Sequence, residues 1–311
     1  MKKFLVTTLI VSVLSNVILI QHVMFSDKKQ IQDAPQTGQT QYPFLSKRIF
    51  AENQNDLLVN FVNLREQLTE YNKNTNNSIG IYFEYLPSGT SIGINEKESF
   101  VLASLLKVPL VMGFYKRTEK QEIGKESVYV IEKEDLDPNF GNLWKQGAGT
   151  KLTVTELIDF ALIDSDNTAQ RTLFRNSPDS TLEDVFDALD IPKELFREEP
   201  VVTPKNYSSI LRSLYLSSYL NLEHSNEILN ILSRTKFNDK LPGLLPSEIK
   251  VAHKIGVHLG GNDKESIYTD CGIVYVPQRP YILCLMTKSD EEKATKHMRE
   301  ISKIVYDYVS Q

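Results

Sequence analysis

Residues 271–287 read Cys271-Gly272-Ile273-Val274-Tyr275-Val276-Pro277-Gln278-Arg279-Pro280-Tyr281-Ile282-Leu283-Cys284-Leu285-Met286-Thr287, two apolar runs around a turn with two prolines. β-branched and aromatic side chains suit a pleated, half-buried surface, so the stretch reads as a β-hairpin. With Val276 set opposite Tyr281, Cys271 faces Met286 and Cys284 faces Ile273. The thiols are then diagonal neighbours roughly 7–8 Å apart, too far to bridge, and two buried free thiols are expected.

Upstream, Val251–His258 is a further strand-like run. Downstream, Ser289-Asp290-Glu291-Glu292 offers a capping box to a last helix carrying Met298, Ile301, Ile304, Val305 and Tyr308. Near the other end, 79–86 and 90–95 alternate like strands around Pro87-Ser88-Gly89. Before them, Leu57, Phe61, Leu64, Leu68 and Tyr71 mark one face of a helix over 54–73. Between these ends helical patterns dominate, at Val154–Ile163, Asn167–Arg175, 182–189 and 206–219. The fold class is therefore α/β (α+β), a domain over residues 51–311. An antiparallel sheet lobe (51–102 and 246–311), flanked by terminal helices, receives an all-helical lobe (103–245) between its second and third strands. A cleft between the lobes is the natural place for a small-molecule site.

Lys2 and Lys3 precede an apolar run over 4–25, long enough to cross a hydrocarbon layer of about 30 Å. His22, Val23, Met24 and Phe25 are bulky where a cleavage site needs small residues. Residues 1–25 are thus expected to be a single-pass cell-membrane anchor with the rest outside, the alternative being a cleaved signal peptide and secretion. Residues 26–50, with Ala34-Pro35-Gln36-Thr37-Gly38, lack periodicity and read as a polar tether. The 311 residues are 41% hydrophobic, enough for a real core, and carry a net charge of −5 without a basic block, which excludes nucleic acid as partner. A monomer is expected.

Ala103-Ser104-Leu105-Leu106-Lys107 opens the helical lobe. Positions i and i+3 share a helix face, which brings the Lys107 amine to the Ser104 hydroxyl. A serine becomes nucleophilic when a neighbouring base takes its proton, and a lysine with a lowered pKa can be that base. Ser165-Asp166-Asn167 follows the apolar helix Val154–Ile163, and Lys254-Ile255-Gly256 lies on the strand-like run Val251–His258, where a glycine lets a substrate lie close to the backbone. In this order the three motifs resemble those of the class A β-lactamases and the penicillin-recognising D,D-peptidases, S-x-x-K, S-D-N and K-T-G, over about residues 51–311.

The resemblance implies that Ser104 is acylated, Lys107 accepts its proton, Ser165 relays a proton to the leaving nitrogen beside Lys254, and Asn167 binds the substrate amide. It implies an oxyanion site between the backbone N–H groups of Ser104 and Val257, with Gly256, Ile255 and His258 lining the substrate. Asp166 is expected to be structural. The implied substrate is a β-lactam or a cell-wall peptide, with no cofactor. No metal is expected, since His253 and His258 fall on opposite strand faces and neither H-E-x-x-H nor paired C-x-x-C occurs.

Three departures bear on the outcome. Arg197-Glu198-Glu199-Pro200 looks like the R-x-E-P that carries the deacylating glutamate, which makes Glu199 either that base or a plain surface carboxylate, because Val201-Val202-Thr203-Pro204 leaves out most of the supporting loop. Ile255 replaces a hydroxyl residue, and His258 shares a face with Lys254 either as a compensating group or as an ordinary edge residue. Pro109 removes a donor from the nucleophile helix and a kink is expected there. The implied function is a serine hydrolase of the class A β-lactamase family with weak deacylation. A D,D-peptidase-like amidase and a non-catalytic binding module are the alternatives.

Overall fold

The computed structural model describes residues 43–44, 60–75, 79–192, 200–260 and 266–311. In chain order the elements are α1 (Val62–Lys73), β1 (Ile79–Tyr85), β2 (Thr90–Ile94), β3 (Phe100–Val101), α2 (Lys107–Glu119), β4 (Val128–Val130), β5 (Lys151–Thr153), α3 (Val154–Ile163), α4 (Asn167–Arg175), α5 (Thr181–Ala188), β6 (Val201–Val202), α6 (Pro204–Leu216), α7 (Leu222–Leu232), β7 (Val251–His258), β8 (Ile267–Val274), β9 (Tyr281–Lys288) and α8 (Glu291–Val309). Five strands form one antiparallel sheet in the order β2-β1-β9-β8-β7, so strands from both ends of the domain build it and α2 to α7 lie between β2 and β7 in sequence.

Strand alternation divides the side chains between two faces. Ile81, Phe83, Leu283 and Leu285 point to one face and pack with Leu64 and Leu68 of α1 and with Met298, Ile301 and Val305 of α8. Each fully buried side chain of this kind contributes roughly 1.5–3 kcal/mol, which explains why the terminal helices need no strong helix propensity of their own. The opposite face receives α6, which packs on β1, β8 and β9. There Arg212 Nε donates to Oε1 of the buried Glu84 at 2.6 Å, tying the helical lobe to the sheet.

The hairpin of residues 271–287 corrects the expected register. Val274, not Val276, lies opposite Tyr281, and Cys271 lies opposite Cys284. The bend takes six residues because Pro277 has no N–H for the ladder and the turn closes on Val276, whose carbonyl accepts the Arg279 N–H at 3.0 Å while Gln278 adopts φ 62°. The Tyr275 N–H leaves the hairpin altogether and bonds the Lys250 carbonyl at 2.9 Å. The two cysteines are consequently joined by a disulfide, Sγ–Sγ 2.00 Å, instead of being free thiols. Iodoacetamide is expected to add nothing to the denatured, unreduced chain and two groups after reduction; alkylation before reduction would contradict the pairing.

Three smaller corrections have local causes. The helix expected over 54–73 is described from Val62 to Lys73, residues 54–59 lying outside the described part. The cap of α8 is Asp290, whose Oδ1 accepts the Lys293 N–H at 2.9 Å, while Ser289 turns inward. Helix α7, overlooked in the sequence, begins at Asn221, whose Oδ1 accepts the His224 N–H at 2.8 Å, and its Ile228, Leu229 and Leu232 are buried.

Of the tether expected over 26–50 only residues 43 and 44 are described, and of these Phe44 packs on the domain. Phe44 is only 4% exposed, its ring set edge-on to Tyr275 at 5.3 Å, its N–H donating to Asn226 Oδ1 and its carbonyl accepting the Tyr275 hydroxyl. A large aromatic ring in a polar stretch gains enough from burial to hold its own backbone in place. The run 4–25 lies outside the described residues, and among the described residues no helix is long and apolar enough to cross a membrane.

Candidate active site

Ser104 sits in a 3₁₀ turn, Ala103–Leu106, that precedes α2, and not in an α-helix as its spacing suggested. Pro109, where a kink is expected, is the third residue of α2, and as a proline it offers no N–H to the carbonyl of Leu105 in the 3₁₀ turn before the helix. Ala103 adopts φ 44°, a left-handed conformation costly for a residue with a Cβ. Neighbouring chain holds it there: Phe100 and Val101 pair with Val202 and Val201, and the Leu102 N–H donates to the Pro200 carbonyl at 2.8 Å.

The i, i+3 spacing works as anticipated despite the different helix type. Lys107 Nζ donates to Ser104 Oγ at 2.6 Å and to Asn167 Oδ1 at 2.9 Å. Ser104 is half-buried and reachable, whereas Lys107 is fully buried. Burial disfavours the ammonium form and pushes the Lys107 pKa down to about 7, although the Asp166 and Asp137 carboxylates pull the other way. An amine poised near neutrality beside a serine hydroxyl can take its proton.

Ser165 lies in the turn between α3 and α4 at φ 55°, again left-handed. Asp166 is structural: one carboxylate oxygen accepts the Ala169 N–H and caps α4, and the other accepts the Leu143 N–H at 2.8 Å. Gly141 makes this approach possible, since a Cβ there would stand 1.9 Å from Asp166 Oδ2. The α3 helix that delivers the turn starts at Thr153 with a capping box, the Thr153 N–H bonding Glu156 Oε2 and the Glu156 N–H bonding Thr153 Oγ1.

From β7, Lys254 Nζ donates to Ser165 Oγ at 2.7 Å and to the Ile255 carbonyl at 3.1 Å, with the Phe237 ring 5.9 Å away. Burial and the charge of Lys107 both push the Lys254 pKa well down, Asp270 opposing them. The two lysine–serine pairs adjoin, since Lys107 also bonds Asn167, two residues past the Ser165 that Lys254 holds. Ile255 is buried and alternation turns it to the face opposite Lys254, as it does Val257, which packs on the sheet core. Only the backbone of Val257 is therefore left for chemistry. His258 ends β7, half-buried and paired with Ile267.

At Gly256 a Cβ would lie 2.5 Å from Thr269 Oγ1, whereas the Leu102 carbonyl and Leu105 would stand 3.4 Å away, so the glycine makes room first for the Thr269 side chain of β8. Glu199 lies outside the described residues. Two groups had no signal in the sequence: Asp137, whose charge reaches Lys107, and the buried pair of His253 Nδ1 with Asp270 Oδ1 at 2.7 Å, whose other carboxylate oxygen accepts the Leu241 N–H. Both rest on contacts between segments far apart in the chain.

The model of the β-lactamase enzyme family matches residues 63–309. A β-lactamase of Phocaeicola vulgatus is 24% identical over 247 residues, 71% of this chain and 77% of that protein. Among solved structures, a β-lactamase from Sphaerobacter thermophilus superposes with a TM-score of 0.72 at 20% identity, covering 81% of this chain and 98% of that one. A mutant of PBP-A, solved as an acyl-enzyme complex with penicillin G, gives a TM-score of 0.69 at 22% identity over 79% of this chain and 95% of that one. With this match along most of its length, the chain belongs to the β-lactamase enzyme family and is a serine β-lactamase-like hydrolase.

Proposed function

We propose that the chain opens β-lactam or related amide bonds through an ester at Ser104. The observation that carries this reading is the 2.6 Å contact between Lys107 Nζ and Ser104 Oγ at a place where burial holds the amine near neutrality. The Lys107 amine takes the hydroxyl proton as Ser104 Oγ attacks the carbonyl carbon. The resulting oxyanion lies between the backbone N–H groups of Ser104 and Val257, which is where such donors lower the barrier most. The C–N bond then breaks, and the nitrogen receives a proton through Ser165, whose Oγ is held by Lys254. Asn167 offers its amide to the amide group of the substrate.

Hydrolysis of the ester needs an activated water, and Glu199 is the group proposed to activate it. Its neighbour Pro200 accepts the N–H of Leu102, two residues before Ser104. Only Val201, Val202 and Thr203 separate Pro200 from α6, so little chain remains to buttress the glutamate and slow deacylation is expected. That short connection also favours a second reading, a D,D-peptidase-like amidase acting on cell-wall peptides and trapped by penicillins.

Intact mass followed over time with penicillin G separates the readings. A transient adduct with released product supports the lactamase, a lasting adduct supports the peptidase, and no adduct would leave a binding module. The apolar run over 4–25 supports a further proposal, a membrane anchor with the domain outside. The full chain is then expected in the membrane fraction and a chain lacking residues 1–25 in the soluble fraction; a soluble full chain would refute the anchor.

A further inference from the structure

We propose that Tyr207 is a positioning residue for the nucleophile turn, a role that rests on reading Ser104 as the nucleophile. Tyr207 is fully buried on α6, and its hydroxyl donates to the carbonyl of Leu105 at 3.3 Å. Leu105 follows Ser104 directly, and its carbonyl lacks the usual donor four residues on, because that residue is Pro109. The phenol supplies a side-chain donor there, beside the Lys107 backbone N–H that also points at this carbonyl. Burial raises its pKa, so it keeps its proton and remains a donor wherever the enzyme works.

The same short segment grips the other side of Ser104. Val201 and Val202 pair with Val101 and Phe100, and the Pro200 carbonyl accepts the Leu102 N–H. Residues 200–207 therefore hold the chain just before and just after the nucleophile. Their own footing is firm: Thr203 Oγ1 caps α6 through the Asn206 N–H at 3.1 Å, and Arg212 of the same helix is anchored on Glu84. Without the phenol the Leu105 peptide is freer to rock, which shifts both Ser104 Oγ relative to Lys107 and the Ser104 N–H relative to the oxyanion. Displacements well under an ångström at reacting atoms are enough to slow a reaction that depends on alignment.

The test uses the full chain with Tyr207→Phe, Pro109→Ala and the double variant. Two readouts are followed: amide hydrogen exchange of residues 102–107, and the rate of penicillin G acylation. Tyr207→Phe is expected to speed exchange in this turn about tenfold, the scale of one lost hydrogen bond, while β8 and β9 stay unchanged. Acylation at saturating penicillin should slow by about tenfold with the apparent binding constant nearly unaltered. Adding Pro109→Ala to Tyr207→Phe supplies an N–H at position 109 and should return both readouts to within about twofold of Pro109→Ala alone. Unchanged exchange in the turn, equal loosening across the domain, or no rescue by Pro109→Ala would overturn the proposal. The exchange readout needs no lactam, so a parent chain that takes no penicillin counts against the acylation reading alone, and the role of Tyr207 is still decided.

Discussion

Ser104→Ala is expected to abolish the penicillin adduct at every time point and to lower any lactam hydrolysis by on the order of 10⁴-fold or more. The size follows from what is removed, since Oγ is the atom that bonds the acyl group, and the second hydroxyl of the site, that of Ser165, is fully buried. Structural damage should be slight. Ser104 is only half-buried, and Lys107 keeps Asn167 Oδ1 as a partner at 2.9 Å, so no buried amine is stranded. An unchanged melting temperature with complete loss of the adduct is the expected combination. An adduct of the same mass on the alanine variant would mean that acylation takes place at a different residue.

The second large effect concerns Lys107 and is visible without mutation. Only the unprotonated amine can accept the Ser104 proton, and burial sets its pKa at about 7. Acylation should therefore rise about tenfold per pH unit on the acid side of neutrality and level off above it. Asp166 and Asp137 oppose the effect of burial, so neutralising either carboxylate is expected to move the break to lower pH. Lys107→Met keeps the bulk of the side chain and removes the base, with an expected loss of at least about 10³-fold in acylation, measured with a chromogenic cephalosporin under single-turnover conditions. A flat profile between pH 5 and 9 in the parent chain, or near-normal acylation in the methionine variant, would assign the proton to another acceptor.

How much of this was legible in the sequence depends on which contacts are local. The strands announced themselves through alternation, and Ser104 with Lys107 through a spacing that survives the change from α to 3₁₀ geometry. The hairpin register was not legible for a definite reason. A two-residue slip leaves every side chain on its original face, so the apolar pattern is the same for either pairing, and the proline turn had to decide. Asn167 was expected at the substrate and in the structure also bonds Lys107, a contact across 60 residues of sequence. The hydroxyl of Tyr207 on the Leu105 carbonyl spans a still longer interval, with no periodicity to betray it. Helix α7, by contrast, carried a readable cap at Asn221 and apolar residues at helical intervals.

The docking of Phe44 reaches beyond the domain as its relatives define it. The family match begins at residue 63, so a protein trimmed to that boundary would lose the ring that covers Tyr275 and the carbonyl that receives its hydroxyl. A side chain of that size contributes roughly 1.5–3 kcal/mol when buried. A shortened form for assay or crystallisation should therefore start ahead of Pro43, which leaves no open seam between Tyr275, Lys250 and Asn226.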